Sequence, residues 1–226
     1  QVSLLQVKGL CNPARMVSGD YYDYGLVKKT QVALAIGDVA GKGISAALLM
    51  ATLQSALRTH MTAFESSNED AVFSPSDLVT QLNLHLCKNT SPEKFATFFF
   101  GLYDSISHQL AYTNAGHLPP LLFRKGEATP LGIDGTVVGA FPFASFGQSS
   151  VSLESGDLLV CYTDGISEPE NAYGEMFGEE RLIQTVQRNL HRSDEQIIEA
   201  VIDSVCKWTG SPELQDDMTI LLARRN

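Results

Sequence analysis

Hydrophobic and polar positions alternate with a period of two along the first part of the chain. The alternation covers Val2 to Lys8 and Tyr22 to Val27, and an uninterrupted apolar run from Val32 to Ile36 follows. Alternation of this kind, and a short apolar run bounded by turn residues, both predict strands. We therefore expect the chain to open with strands joined by turns.

The period changes after residue 43, where the pattern predicts two helices. The segment from Ile44 to His60 is rich in Ala, Leu and Met and has no internal Gly or Pro, which favours a largely buried helix. Ser74 is the expected N-cap of a second helix, because Pro75 and an acid at the third helical position follow it. Leucines then recur at four-residue spacing toward Lys88, where this helix is expected to end.

The second half of the chain returns to strand patterns and ends with two helices and a strand. Strands are predicted over residues 95–103, 109–113, 120–124, 157–162 and 218–223, and helices over 179–190 and from the capping box at 193–196 to about 208. No linker, low-complexity tract or internal repeat divides the chain. The order of elements therefore predicts one α+β domain over residues 1–226.

The composition fits a compact fold and limits the partners. Hydrophobic residues make up 44% of the chain and charged residues 19%, and 26 acids against 16 Lys and Arg give a net charge of −10. This charge argues against nonspecific binding to nucleic acid or to an anionic membrane, so we expect neither partner for this domain. The acids either solvate the surface or form a site for hard divalent cations.

The cysteines and the chain start bear on location. The four cysteines are far apart and form no Cys-x-x-Cys pair, which indicates free thiols in a reducing, cytoplasmic compartment. No apolar stretch reaches the length of a membrane span. The first residues have neither a basic leader region nor an initiating Met, so we interpret the sequence as the C-terminal part of a longer protein.

Aspartates recur where predicted strands begin or end. Asp38 and Asp164 each follow an apolar strand, Asp216 and Asp217 precede the last strand, and Asp20 follows a glycine near the second strand. A single Asp in such a place is usually a turn or cap residue, but several carboxylates at one sheet edge would repel one another unless cations neutralised them. Oxygen ligands favour Mg²⁺ or Mn²⁺, and the lack of clustered His and Cys argues against zinc.

Two other site types fail on spacing. The segment from Gly37 to Gly43 resembles a phosphate-binding loop, but only three residues separate Gly37 from Gly41, and Lys42 is followed by Gly rather than Ser or Thr. No Gly-x-Ser-x-Gly elbow is present for a nucleophilic serine. Metal chemistry is therefore the favoured interpretation.

Five motifs together resemble one protein family. They are SGDYYD (18–23), GDVAGKG (37–43), NAGHLPP (114–120), YTDG (162–165) and DDMT (216–219). In this order and spacing they resemble the bacterial SpoIIE/RsbU branch of the PPM, or type 2C, metal-dependent serine/threonine phosphatases. The resemblance covers nearly the whole chain and implies an αββα sandwich of two antiparallel sheets flanked by helix pairs.

The resemblance also implies a centre of two Mn²⁺ or Mg²⁺ ions. Asp38 would bridge both ions, Asp20 and the backbone carbonyl of Val39 would help to hold one, and Asp164 and Asp216 would hold the other. Asp20 and Asp38 would thereby activate a metal-bridging water, which would attack phosphorus in line without a phosphoenzyme.

The resemblance leaves two alternative roles for each of three further residues. Asp217 stands where the wider family usually has Asn, so it is either an additional ligand or a neighbour that shapes the site. Eukaryotic relatives have a general-acid His at the position of Ala40; His117 is a candidate replacement, or it only buttresses its loop. Arg15 lies where relatives bind the substrate phosphate, or it is an ordinary surface residue.

The resemblance implies hydrolysis of phosphoserine or phosphothreonine in a protein. In this branch the usual substrate is a phosphorylated STAS-type anti-anti-sigma protein, so dephosphorylation would release a sigma factor by partner switching. A homodimer through the helices or through a preceding N-terminal domain is an open expectation. The alternatives are a noncatalytic module of the same fold that senses a ligand or partner, and an enzyme gated by the two helices at 44–60 and 75–88.

Overall fold

The computed structural model describes residues 5–67, 73–91 and 93–226, which form ten strands and five helices. The strands are β1 (Gln6–Asn12), β2 (Asp20–Lys28), β3 (Gln31–Val39), β4 (Ala96–Asp104), β5 (Gln109–Ala115), β6 (Leu121–Arg124), β7 (Glu127–Pro130), β8 (Ser149–Ser152), β9 (Leu158–Tyr162) and β10 (Met218–Arg224). The helices are α1 (Ile44–Glu65), α2 (Pro75–Asn89), α3 (Asp164–Ser167), α4 (Gly178–Asn189) and α5 (Asp194–Thr209).

Two antiparallel five-stranded sheets form the centre of the fold. Sheet A has the strand order β1-β10-β9-β6-β7, and sheet B has the order β2-β3-β4-β5-β8. Helices α1 and α2 pack on the outer face of sheet B, and α4 and α5 pack on the outer face of sheet A. The αββα sandwich implied by the family resemblance is confirmed.

Strand β3, which contains the apolar run at 32–36, is buried on both faces. Leu34 and Ile36 belong to the apolar layer between the two sheets, together with Phe99 of β4. Ala33 and Ala35 point the other way, into the layer beneath α1 and α2. The small alanines let the helices approach sheet B closely, while the larger side chains fill the space between the sheets.

The helix ends follow the predicted capping signals. The Ser74 hydroxyl accepts a hydrogen bond from the Asp77 amide at 3.2 Å, and Ser193 and Gln196 form the predicted capping box at the start of α5. Helix α1 runs five residues beyond the predicted end at His60. It continues because Met61 is buried against the core and Phe64 packs on the same face.

The pattern missed three short elements. Strands β7 and β8 and helix α3 have four residues each, and the two strands are mostly exposed, so neither gives a clear alternation. The other predicted strands and helices are present with ends shifted by a few residues. The first predicted strand began at Val2, and residues 1–4 lie outside the described part of the chain.

The structure also bears on the sequence predictions about the cysteines and about membrane-spanning segments. Cys11, Cys87, Cys161 and Cys206 are all free thiols. Across the described ranges, no helix is long and apolar enough to cross a lipid bilayer.

A buried polar network ties α1 to the strand that carries Asp20. The Asp23 carboxylate on β2 accepts hydrogen bonds from the Tyr21 hydroxyl and from the Arg58 guanidinium on α1. Asp23 is 8% exposed, so its charge depends on these partners for the stabilisation that water would otherwise give. The network therefore fixes the position of α1 relative to β2 close to the candidate site.

We expect a double-mutant cycle between Asp23→Asn and Arg58→Met to reveal this coupling. Because about half of the Arg58 side chain is exposed, the coupling free energy should be about 1 kcal/mol rather than the larger value of a fully buried pair. Urea denaturation of the wild type, both single variants and the double variant measures it. Strictly additive losses would show that the contact has no energetic role.

Candidate active site

The predicted acids come from the ends of both sheets. In the β2/β3 hairpin, Asp20 pairs directly opposite Asp38, so the hairpin register alone puts these two carboxylates side by side. Asp164 begins α3 immediately after β9, and Asp216 lies two residues before β10, its neighbour in sheet A. One edge of the sandwich therefore brings together acids that lie far apart in sequence.

Asp20 and Asp38 are carboxylic acids with strongly raised pKa values. Burial is the largest cause for both residues; it raises the pKa of Asp20 to about 7 and that of Asp38 to about 8. Repulsion adds to burial, from Asp217 and Asp164 at Asp20, and from Asp20, Asp164 and Asp216 at Asp38. The nearby Thr219 and Thr163 hydroxyls partly offset the shift at Asp20. Two neighbouring carboxylates thus stand in an environment that disfavours their charge.

The acids of sheet A extend the same negative region. Burial raises the pKa of Asp164, and the neighbouring charge of Asp216 raises it further. Glu168, one turn along from Asp164, also has a raised pKa because of burial and of the charges on Asp164 and Asp216. Sequence reasoning did not select Glu168. The signal that was available is its position, four residues after a predicted site aspartate.

The carboxylates are neighbours but do not converge on one point. In the described part of the chain, no three Asp, Glu, His or Cys side chains are grouped closely enough to hold a metal ion as they stand. Burial, and then the charges of the neighbouring carboxylates, raise the pKa of Asp38, so ionising these acids together is unfavourable. Side-chain rotation would have to complete any coordination shell.

Thr163 connects Asp20 to sheet A. Its hydroxyl donates a hydrogen bond to the Asp20 carboxylate at 2.7 Å, and the same oxygen accepts one from the Thr219 amide at 3.1 Å. Thr163 is fully buried. This side chain therefore holds the acid of sheet B in a fixed position against the first residues of β10.

The Asp217 carboxylate contacts the loop between β1 and β2. It accepts hydrogen bonds from the Ala14 amide at 2.7 Å, the Gly19 amide at 2.8 Å and the Ser18 hydroxyl at 2.9 Å. These donors all belong to the loop between β1 and β2, which also carries Arg15. The contacts favour the view that Asp217 shapes the site by anchoring this loop.

Arg15 and Lys42 lie on the wall of a small cavity beside Asp216. The cavity has a volume of about 150 Å³ and is lined by the 14–17 loop, by Lys42 and Gly43, and by residues 214–217. The Lys42 ammonium forms an ion pair with the Asp216 carboxylate at 2.6 Å. A second cavity, of about 180 Å³, lies on the other side of Asp216 and is lined by Asp164 and Glu168.

His117 is buried beneath the acids and bridges the two sheets. Its Nε2 donates a hydrogen bond to the Tyr162 carbonyl at 3.1 Å, so Nδ1 is the nitrogen that accepts from the Thr97 hydroxyl at 2.8 Å. Burial lowers the pKa of His117 to about 4, which keeps the ring neutral near pH 7. Both ring nitrogens are occupied, and Asn114 holds the backbone amide and carbonyl of the same residue. These contacts favour the buttressing alternative over a proton donor.

We expect His117→Ala to act on stability and not on proton transfer. The loss of a buried ring and of its two hydrogen bonds should lower the free energy of unfolding by about 2–4 kcal/mol. The activity that remains should keep the shape of the wild-type pH profile. His191, which is exposed, gives the matched control His191→Ala. Disappearance of one limb of the profile in His117→Ala would instead establish a general acid or base.

Comparisons with known proteins agree with this architecture. The family described as Stage II sporulation protein E (SpoIIE) matches residues 28–226. The Bacillus subtilis protein named phosphoserine phosphatase RsbU is 31% identical over 229 residues, which cover all of this chain and 64% of that protein. Protein IcfG of Synechocystis is 30% identical over 98% of this chain and 38% of that protein.

Solved structures show the same fold. The SiaA-PP2C domain of Pseudomonas aeruginosa superposes with a TM-score of 0.85 at 21% identity, covering 97% of this chain and 86% of that one. The catalytic domain of the serine/threonine phosphatase PstP, solved in complex with two manganese ions, has a TM-score of 0.72 at 16% identity, with 98% of each chain covered.

The chain belongs to the SpoIIE family, because the family match spans residues 28–226 and a relative at 31% identity spans the whole chain. It covers 38% of the length of IcfG and 64% of the length of RsbU.

Proposed function

We propose that this domain hydrolyses phosphoserine or phosphothreonine in a protein partner, with two divalent cations as cofactors. The observation that carries the proposal is the pairing of Asp20 with Asp38 at the end of a buried hairpin, facing Asp164 and Asp216 from the other sheet. Carboxylates in such a position are costly without cations and favourable with them.

The donor set fits Mn²⁺ or Mg²⁺. All candidate ligands are oxygens: the carboxylates of Asp20, Asp38, Asp164 and Asp216 and the backbone carbonyl of Val39, the last residue of β3. Hard divalent cations prefer such ligands, and a cation would offset both the burial and the repulsion that raise the pKa values of Asp20 and Asp38. When bound, two such ions would supply an activated water and charge neutralisation at the phosphoryl group.

The remaining residues have supporting roles in this proposal. Arg15 binds the substrate phosphate from the wall of the 150 Å³ cavity, where a guanidinium suits a phosphate dianion. Asp217 fixes the loop that carries Arg15, through its three hydrogen bonds to that loop. Thr163 and His117 connect the two sheets beneath the acids. No side chain of this set is assigned as general acid.

A more specific proposal concerns the identity of the protein substrate. RsbU, which is 31% identical, is named a phosphoserine phosphatase, and this name supports phosphoserine as the substrate group. A phosphorylated STAS-type anti-anti-sigma protein, the partner in a sigma-factor switch, is the substrate that the family resemblance of the motifs implies. A cytoplasmic location, an additional N-terminal domain and a homodimer remain predictions of the sequence.

Phosphate release from a phosphorylated STAS protein tests both levels of the proposal. With Mn²⁺ present we expect turnover that EDTA abolishes, together with slower release from an unrelated phosphoserine protein. Equal rates on both substrates would reject the STAS assignment and leave the phosphatase intact. Calorimetric binding of Mn²⁺ without any turnover on either substrate would instead favour the noncatalytic module.

A further inference from the structure

Lys42 forms an ion pair between the two sheets at the candidate site. It belongs to the loop from β3 to α1 on the side of sheet B, and its ammonium contacts Asp216, which precedes β10 of sheet A, at 2.6 Å. Asp216 is one of the proposed cation ligands. A side chain with a single positive charge thus holds a carboxylate that a divalent cation would also need.

The loop around Lys42 has room to move. Gly41 and Gly43 both have positive φ angles, 99° and 78°, and a Cβ added at either position would meet no atom within 4 Å. The Lys42 side chain itself is about half exposed. No packing therefore fixes the ammonium, and Asp216 is the partner that holds it in its present place.

Arg15 lies next to this ion pair without a strong partner of its own. Among the described residues, it forms no hydrogen bond or ion pair, and it shares the 150 Å³ cavity with Lys42 and Asp216. A phosphate monoester carries nearly two negative charges, and one guanidinium neutralises only one of them. The cavity wall therefore carries the Arg15 guanidinium, which can bind a phosphate, and the Lys42 ammonium, which is paired with the Asp216 carboxylate.

We propose that Lys42 exchanges partners during the catalytic cycle. It neutralises Asp216 while the site lacks cations, and it turns to the substrate phosphate beside Arg15 once a divalent cation occupies Asp216. The second half of this inference rests on the proposed phosphatase function, whereas the first half concerns cation binding alone. The physical cause is competition: the Asp216 carboxylate would lose the ammonium as its partner if it held a divalent cation, because the two positive charges would repel each other.

The exchange predicts that Lys42→Met strengthens Mn²⁺ binding and weakens phosphate binding. Without a competing ammonium, Mn²⁺ should bind about two- to fivefold more tightly, the range that one partly exposed ion pair supports. Orthophosphate should bind the Mn²⁺-loaded protein about five- to tenfold more weakly, because one of its two cationic contacts is lost. Calorimetry on the whole chain measures both constants without any turnover.

Three variants complete the experiment. Lys29→Met changes an exposed lysine in the β2/β3 turn, at the opposite end of the hairpin from Asp20 and Asp38, and should alter neither constant. Lys42→Arg keeps the charge and should stay within about twofold of wild type. In an Asp216→Asn background, Lys42→Met should no longer tighten Mn²⁺ binding, because the ion pair is already broken.

Opposite shifts in the two constants support the exchange. Unchanged Mn²⁺ affinity in Lys42→Met would overturn the first half, and unchanged or tighter phosphate binding would overturn the second. Wild-type protein that binds Mn²⁺ but releases no phosphate from any phosphoprotein would refute the proposed function and leave the Mn²⁺ result for Lys42 standing.

Discussion

Asp38→Asn is expected to lower kcat/KM for phosphate release by at least about 10³-fold, because it removes the carboxylate shared by both proposed cations. Asparagine has the same shape and keeps an oxygen, so the fold should persist. The rate of phosphate release from p-nitrophenyl phosphate at saturating Mn²⁺ measures the loss. The matched control is Asp203→Asn, an exposed acid on α5, which should leave the rate unchanged.

The same substitution should make the cation-free protein more stable. The pKa of Asp38 rises from 3.8 to about 8 on folding, so the folded wild type resists ionisation that the unfolded chain accepts. This penalty is absent below pH 4 and grows as the pH rises toward 8, where Asp38→Asn should exceed wild type by about 1–3 kcal/mol in free energy of unfolding. Urea denaturation in EDTA at pH 4 and pH 8 measures the difference. A variant less stable than wild type at pH 8 would contradict the strain that we infer at this site.

Gly165→Ala is expected to inactivate the enzyme although it removes no proposed ligand. A Cβ on Gly165 would lie 1.8 Å from the backbone carbonyl oxygen of Asp217, far inside van der Waals contact. The α3 segment with Asp164 must then move away from the residues before β10, which include Asp216. We expect kcat/KM to fall by at least about 10²-fold and the free energy of unfolding to fall by about 2–4 kcal/mol.

Gly132→Ala is the control for this variant. Gly132 has an ordinary φ angle, and a Cβ there would meet no atom within 4 Å. It should behave like wild type in thermal unfolding and in turnover. Full activity of Gly165→Ala would show that the spacing between α3 and β10 does not matter for the chemistry.

The fold was readable from the sequence because its signals are local. The N-caps at Ser74 and Ser193 mark helix starts, and the apolar run of β3 marks a strand. Strands β7 and β8 were not predicted because they are short and exposed. They are held mainly by pairing with β6 and β5. Strand β8 depends on the distant strand β5, which no local pattern contains, whereas β7 forms a hairpin with β6 that is too short to show an alternation.

The candidate site was predictable only in its acids. Asp20, Asp38, Asp164 and Asp216 stand at strand ends, and the family motifs mark the same positions. The contacts around them are tertiary. Thr163 binds an acid 143 residues away, and Lys42, to which the sequence analysis assigned no role, pairs with Asp216 at a separation of 174 residues.

His117 shows how such contacts separate two interpretations that the sequence leaves open. A histidine in a Gly-His-Leu-Pro-Pro segment is compatible with proton transfer and with buttressing. Its two occupied ring nitrogens and its burial favour buttressing. This conclusion depends on atoms from β4 and β9, and the spacing of the motif carries no information about them.

Anomalous X-ray scattering from a crystal soaked with Mn²⁺ would locate the cations at the candidate site. We expect two manganese peaks enclosed by Asp20, Asp38, Asp164 and Asp216, with the Lys42 ammonium no longer bonded to Asp216. Manganese bound only elsewhere on the protein, or no bound manganese at all, would contradict this expectation.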